Sequence, residues 1–220
     1  MFNMLIMGPP GAGKGTQAQA IAKRLGLEHL ASGDVVRAEV KANTPSGQKA
    51  REFMDSGKLV PDDLVTSMVG SHIKSACESG NGVVLDGYPR TVAQARSLTD
   101  LLDREELRMH AVVNLKVPSE ELLDRLVNRL TCPQCNWVYH RRNNPPKSEG
   151  ICDNDGAALA SRPDDNETVI RERLRVYHEQ TEPVLAYYRE RGVLQEFDGS
   201  GTIDEVFECV VRYLESLKGA

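Results

Sequence analysis

The stretch GPPGAGKGT at 8–16 is suited to holding a polyphosphate. Gly8, Gly11 and Gly13 let the backbone curl with its N–H groups pointing inward, and a helix starting just after them adds its N-terminal partial charge. Lys14 supplies a mobile cation for β- and γ-phosphates. A plain Gly-Pro turn is the competing reading. The apolar run before the stretch and the helical period after it instead give the strand–loop–helix setting that a phosphate loop needs. One position departs from the generic pattern. Where a Ser or Thr is expected after Lys14, Gly15 stands, and the hydroxyl arrives one place later at Thr16. The generic assignment of that hydroxyl to Mg2+ therefore does not carry over.

A second constellation lies further along. Cys132 and Cys135 form a C-x2-C knuckle, Cys152 follows after sixteen residues, and Asp155 after two more. With a cysteine at 155 this would be a standard four-thiolate zinc spacing, and a carboxylate oxygen is an allowed ligand. His140 is the other candidate for the fourth position, since imidazole suits zinc well. Asp153 adjoins Cys152 and is badly placed to share its knuckle. Three reduced thiols without metal is the remaining alternative, and iron or cobalt suits the same donors. A site with all four positions filled is structural. Cys77 and Cys209 fall in helical stretches and read as packing residues.

Positioning these groups takes a frame. Apolar runs at 3–7, 28–31, 83–86, 111–117 and 193–198 read as strands, and all but 28–31 are nearly continuous, as expected for strands buried on both faces. Helical stretches lie at 14–25, 33–42, 47–55, 61–78, 91–106, 119–130, 164–191 and 203–218. The alternation predicts a mainly parallel sheet covered by helices. Two segments break the rhythm. Residues 33–60 place two helices between consecutive strands. Residues 131–163 are rich in Pro, Asn, Gly and Cys, and are too long for a structureless loop, so they read as a small subdomain with its own staple.

The chain of 220 residues suits one domain with insertions. A net charge of −5 argues against a general nucleic-acid binder. No apolar run is long enough to span a bilayer, and MFNMLIMG lacks the cationic start and cleavage site of a signal peptide. Five cysteines, an odd number, do not suggest a disulfide framework; a reducing cytoplasm is the expected setting.

The phosphate loop with its shifted threonine resembles that of the nucleoside monophosphate kinases. SGDVVR at 32–37, GKLVPDDLV at 57–65, LDGYPRTVAQA at 85–95, RPDDNETVIRER at 162–173 and YHEQTEPVLAYY at 177–188 look like adenylate kinase, over nearly the whole chain. The 131–163 region resembles the long lid of bacterial members, some of which carry a similar cysteine pattern. The resemblance implies an α/β fold of the P-loop NTPase type, with a five-stranded parallel sheet in a core of 1–30, 61–127 and 166–220. It implies a helical AMP-binding insert at 31–60 and a zinc-stapled lid at 128–165. The implied reaction is reversible transfer of a phosphoryl group from MgATP to AMP, giving two ADP, by a monomer with no nucleic-acid or membrane partner. Mg2+ would come with ATP, and structural Zn2+ would sit on Cys132, Cys135, Cys152 and Asp155.

Such a transfer needs charge neutralisation, alignment and dryness rather than covalent chemistry from the protein. Lys14, Arg37, Arg90, Arg129, Arg162 and Arg173 are cations at motif positions, and the arginine fork holds phosphate oxygens bidentately. By resemblance, Arg37 and Arg90 hold the AMP phosphate, Arg129 and Arg162 reach from the lid, and Arg173 lies at the junction of both sites. The ATP side is implied to comprise Gly11, Ala12, Gly13, Lys14, Gly15 and Thr16 of the loop, with Arg129, Val138, Tyr139 and Gly201. The AMP side is implied to comprise Ser32, Lys58, Leu59, Val60, Gly87, Tyr88, Pro89 and Gln94 beside Arg37, Arg90, Arg162 and Arg173. Gln94 brings the donor and acceptor that an adenine edge requires.

Asp86 closes a buried strand at the carboxyl edge where open α/β sheets bind ligands, and reads as the organiser of Mg2+ through its waters. A turn-capping role is the alternative. Asp164 is expected to orient the lid arginines or those waters. His29, His140 and His178 receive no catalytic role. Leu130 stands where many relatives carry a second arginine. Arg125 is a further candidate, Arg171 and Arg175 read as surface charges, and Arg141, Arg142 and Lys147 are expected to offset the charge of the metal centre. Two rival functions remain at this stage: a kinase for another nucleoside monophosphate, and a nucleotide-gated zinc ribbon that binds nucleic acid.

Overall fold

The computed structural model describes residues 1–78 and 80–218, with the side chains of Ser71, Cys77 and Glu78 outside the described set. Five strands form one parallel sheet: β1 (Asn3–Met7), β2 (Glu28–Ala31), β3 (Val83–Asp86), β4 (Met109–Lys116) and β7 (Leu194–Asp198), in the order β2-β3-β1-β4-β7. Side chains alternate between the two faces with period two. Met4 and Ile6 therefore join one core with α1 (Lys14–Leu25) and α9 (Ile203–Lys218), through Ala18, Ile21, Val210 and Leu214. Leu5 and Met7 join the other, with α4 (Asp62–Glu78), α5 (Val92–Arg104) and α8 (Pro183–Arg189), through Val69, Leu98, Val184 and Tyr188. Because both faces are covered, β1 is buried along its whole length, which is why its sequence is apolar throughout after Asn3.

The helices α2 (Ser32–Lys41) and α3 (Pro45–Asp55) pack as a hairpin between β2 and α4. Thr44 caps α3 by accepting from the Gly47 amide, and Pro45 sits at the first helical position, where its missing N–H costs nothing. After α6 (Ser119–Val127), the strands β5 (Arg129–Thr131) and β6 (Val138–His140) form an antiparallel pair, with Thr131 also bridging Ala160. Beneath that pair Leu130, Cys132, Tyr139 and Cys152 make a small separate core, flanked by Trp137, Ala157 and Leu159.

Three sequence expectations are corrected. The helix expected over 119–130 stops at Val127, because the chain turns there into β5. The single helix expected over 164–191 is three pieces: α7 (Glu167–Val176), a π-helical turn (Tyr177–Thr181) and α8. Pro183 has no N–H to return to the preceding turn, so the helix widens and the Glu182 amide reaches back to the Tyr177 carbonyl, 2.9 Å away. Cys209 is exposed rather than packed, since it falls outside the Val206, Val210, Val211 and Leu214 stripe of α9. The packing expected of the Cys77 side chain lies outside the described residues.

A methyl group added at Gly47 would collide with the Glu39 carbonyl and the Val40 amide across the α2–α3 contact. Gly47→Ala is expected to lower unfolding free energy by about 2 kcal/mol, read as a shift in the urea midpoint with unchanged slope.

Candidate active site

Residue Ile6 of β1 sits in register with Asp86 of β3, so the loop leaving β1 rises beside the Asp86 carboxylate. Gly8, Gly11 and Gly13 all take positive φ, and Lys14 opens α1 with its ammonium donating to the Pro9 carbonyl at 2.8 Å. Asp86 Oδ2 lies only 3.3 Å from where a Cβ on Gly15 would stand. A Ser or Thr there would press against the carboxylate, a physical reason for the hydroxyl to be displaced to Thr16.

The cations gather on the same side. Arg90 donates through Nε to the Gly87 carbonyl at 2.8 Å, and the Ser32 hydroxyl donates to that carbonyl at 2.6 Å. Arg37 pairs with Asp34 on its own helix. Arg129 is held bidentately by Asp165, at 2.8 Å and 2.6 Å. Arg173 pairs with Asp164 at 2.8 Å and with Asp165 at 3.2 Å. Arg162 donates to the Thr131 hydroxyl at 3.2 Å.

Their electrostatics record the crowding. Burial, then the neighbouring Arg173, press the Arg90 guanidinium down to about 10; burial, then Arg129 and Arg37, press Arg162 down to about 9. Lys14 falls to about 7, chiefly through lost solvation, with Asp86 resisting and Arg90, Arg173 and Arg129 adding to the fall. For Asp86 burial works toward protonation, but His29, Lys14 and Arg90 outweigh it and hold the carboxyl below its ordinary range. Asp164 is likewise held low against burial by Arg173 and Arg129.

A cleft opens between α2, the 57–60 segment and the loop after β3. Among its walls are Ser32, Arg37, Lys58, Leu59, Val60, Gly87, Arg90, Gln94 and Arg173 of the expected AMP set, while Tyr88, Pro89 and Arg162 are not. Val36, Met54 and Val65 line it as well and supply an apolar wall that motif reading did not foresee. On the other side Arg125 donates to the Gly199 carbonyl at 3.0 Å and the Ser200 carbonyl at 3.4 Å, fixing the turn that carries Gly201. Val138 and Tyr139 lie on β6. The Tyr139 ring is buried in the small core beneath β5 and β6, where its hydroxyl accepts from the Asp153 amide at 2.7 Å.

Sequence reading gave no role to two residues that stand against expected site residues. Asp165, almost fully buried, clasps Arg129, while Asp164 pairs with Arg173. Its signal was the second acid of the Asp164-Asp165 pair. His29 stands 3.7 Å from Asp86 Oδ2. Its signal was register: Ala31 lies opposite Asp86 and His29 is two residues earlier on the same face. Arg171 and Arg175 make exposed pairs with glutamates along α7 and beyond it, as expected of surface charges. Leu130 belongs to the lid core and not to the cation cluster.

The four donors of the cysteine constellation converge, with all ligand atoms within 4.8 Å of one another. Cys135 and Cys152 sulfurs are 3.6 Å apart, and Cys132 Sγ is 3.2 Å from Asp155 Oδ2. A tetrahedral zinc with bonds near 2.3 Å asks for sulfurs about 3.8 Å apart, so the set fits. Amides of Gln134 and Cys135 point at Cys132 Sγ from 3.4 Å and 3.5 Å, as a thiolate would want. His140 is not part of this group: its Nδ1 accepts from the Arg142 and Asn143 amides at 3.2 Å and 3.0 Å. Asp153 instead accepts from the Lys147 amide. Arg142 pairs with Asp124 and Arg141 reaches Ser161, so neither acts as the expected counter-charge.

The loop between β1 and α1, with its positive-φ glycines and Lys14 facing Asp86, and the arginines gathered beside it define the frame of a phosphotransferase of the P-loop class. The sequence profile of the adenylate kinase family matches residues 6–193. Proteins named adenylate kinase are similar over essentially their full length: 47% identity with that of Carboxydothermus hydrogenoformans, over 97% of this chain and 100% of the relative; 42% with that of Archaeoglobus fulgidus, over 99% and 100%; and 44% with that of Methanosarcina barkeri, over 97% and 99%. The chain belongs to the adenylate kinase family, and its reaction is transfer of the terminal phosphoryl group of ATP to AMP, giving two ADP. The rival reading as a kinase for another nucleoside monophosphate falls with this.

A phosphate beside Lys14 would favour the protonated ammonium that burial disfavours. At pH 8, binding of a bisubstrate-like dinucleoside polyphosphate is expected to take up about one proton, measured by calorimetry in buffers of different ionisation enthalpy, and Lys14→Met is expected to abolish the uptake. The sign in the empty protein follows. Between about 7 and the ordinary 10.5 the unfolded chain holds a proton that the folded one lacks, so this group makes stability rise with pH across that window.

Proposed function

We propose that the cleft beside α2 and the 57–60 segment takes AMP, with Arg37 and Arg90 on its phosphate, and that the loop at 8–16 takes the phosphates of ATP. Arg129 and Arg162 meet the transferring group from the lid, and Arg173 serves both nucleotides. The observation that carries this reading is that Arg37, Arg90 and Arg173 line one cleft, with Lys14, Arg129 and Arg162 near enough to take part in one mutually repelling group. An AMP phosphate oxygen attacks the terminal phosphorus in line while the bond to the departing ADP breaks. The attacking group is already anionic, so no general base is needed. Mg2+, when bound with ATP, neutralises phosphate charge, and Asp86 would hold it through water. Residues 31–60 act as the AMP insert and 128–165 as a lid. Closure of that lid, a familiar property of the family, excludes water so that phosphate passes to AMP and not to hydrolysis.

We assign Cys132, Cys135, Cys152 and Asp155 to a structural Zn2+ that makes the lid one rigid body. Support comes from the fit of the donor set and from the small size of the core beneath it. The protein is read as a cytoplasmic monomer; among the described residues no helix is long and apolar enough to cross a membrane.

Arg37→Ala is expected to raise KM for AMP about tenfold or more while leaving KM for ATP nearly unchanged. An unchanged KM for AMP would remove the AMP assignment of this cleft. Elemental analysis is expected to find about one zinc per chain, and loss of metal in Asp155→Ala together with a chelator-sensitive step in thermal unfolding. Metal retained at full stoichiometry in Asp155→Ala would rule that carboxylate out as a ligand.

A further inference from the structure

The side chain of Gln94 is almost fully buried and lines the cleft, yet both of its amide atoms are already engaged behind it. Its Nε2 donates to Asp62 Oδ1 at 2.7 Å, and its Oε1 accepts from the Arg90 amide at 2.7 Å. The other oxygen of Asp62 accepts from the Thr91 hydroxyl at 2.8 Å, which fixes the carboxylate in turn. Thr91 also caps α5 through the Gln94 amide, at 3.1 Å. Asp62 does not line the cleft, so whatever it does there it does through Gln94.

Chemistry alone settles which way this amide points. A carboxylate can only accept and a backbone N–H can only donate, so nitrogen must face Asp62 and oxygen must face Arg90. Turning the amide over would set oxygen against carboxylate and N–H against N–H. One N–H of Nε2 and one lone pair of Oε1 are left for a ligand. That pair matches the edge of adenine, which accepts at N1 and donates from its 6-amino group. A 6-oxopurine presents the reverse, a donor at N1 and an acceptor at position 6.

We infer that Asp62, together with the Arg90 backbone amide, is a positioning residue for base selectivity: it locks the polarity of the Gln94 amide so that the cleft accepts a 6-aminopurine and rejects a 6-oxopurine. The inference rests on the reading of this cleft as the AMP site. Recognition is then a matter of polarity and not of shape, since AMP and IMP differ only at the 6-position and its neighbouring nitrogen. The lock would also refuse uracil, whose edge has the 6-oxopurine pattern, while cytosine passes the polarity test and is left to be rejected on size.

The test is the ratio of kcat/KM for AMP to that for IMP, with ATP as donor, in the wild type, Asp62→Asn and Asp62→Ser. Either replacement can donate as well as accept, so Gln94 becomes free to turn over. The ratio is expected to fall on the order of tenfold or more, with kcat/KM for IMP rising in absolute terms and KM for ATP unchanged. The Arg90 amide remains in both variants, so the preference relaxes without inverting. Because the ratio is taken on one folded preparation, lost stability cancels from it, and Asp62→Ser keeps the test open if Asp62→Asn does not fold. Equal loss on AMP and IMP would mean a merely structural Asp62 and would overturn the inference, as would an unchanged ratio. Either result, with KM for AMP still sensitive to Arg37→Ala, sinks the polarity lock alone. Insensitivity to Arg37→Ala sinks the cleft assignment beneath it.

Discussion

Repulsion among like charges in a poorly solvated cleft is the constraint on which this molecule is built. Lys14, Arg37, Arg90, Arg129, Arg162 and Arg173 come from six different elements and loops and press on one another's charge, with Arg37, Arg90 and Arg173 in the cleft wall itself. Left alone they would drive the insert, the lid and the sheet edge apart. Four acids hold them: Asp34 on Arg37, Asp165 on Arg129 and Arg173, Asp164 on Arg173, and Asp86 facing Lys14. Each acid is placed to position its partner while leaving guanidinium or ammonium donors unspent. A partly buried pair of this kind adds little net stability, because desolvation offsets attraction. What it provides is geometry, so that phosphates arriving in the cleft meet donors already aimed.

The central sheet shows how directly a hydrophobic pattern writes a fold. Strands β1 and β3 fall where the apolar runs placed them, because strands covered on both faces have no polar side to blur the signal. Where the chain deviated, the causes were local and polar. The end of α6 was hidden because Asn128, Arg129 and Leu130 extend its period by composition alone, and only pairing with β6 reveals a strand. The break before α8 was written in Pro183, but a proline announces a disturbance without saying whether the helix ends, kinks or widens.

The site was legible to a different degree. The phosphate loop, the arginines and the Cys–Asp spacing are motif features, set by fixed distances along the sequence. Asp165 and Asp62 are not. Each acts through another side chain, and the partner lies 36 residues away in one case and 32 in the other. Nothing in local sequence distinguishes a carboxylate that clasps Arg129 from its neighbour that clasps Arg173. His29 was legible only once the register of β2 against β3 was known. Residues that touch a ligand tend to sit in motifs, whereas residues that aim them are found only when the chain has folded.

The π-helical turn at Tyr177–Thr181 has a consequence for how this region can vary over evolutionary time. On its N-terminal side α7 points Arg173 at Asp164, and on its C-terminal side α8 points Val184, Leu185 and Tyr188 into the core under the sheet. The widened turn absorbs the one residue by which these two orientations are out of phase. Winding the same residues as a regular helix, without that widening, would rotate one half against the other by about 100°, so that either the arginine or the core residues would face the wrong way. Removing one residue at the turn would instead close the bulge and keep both halves in phase. The turn is therefore the one place between Glu167 and Arg189 where the chain can change its length by a residue without disturbing the cleft at one end or the core at the other.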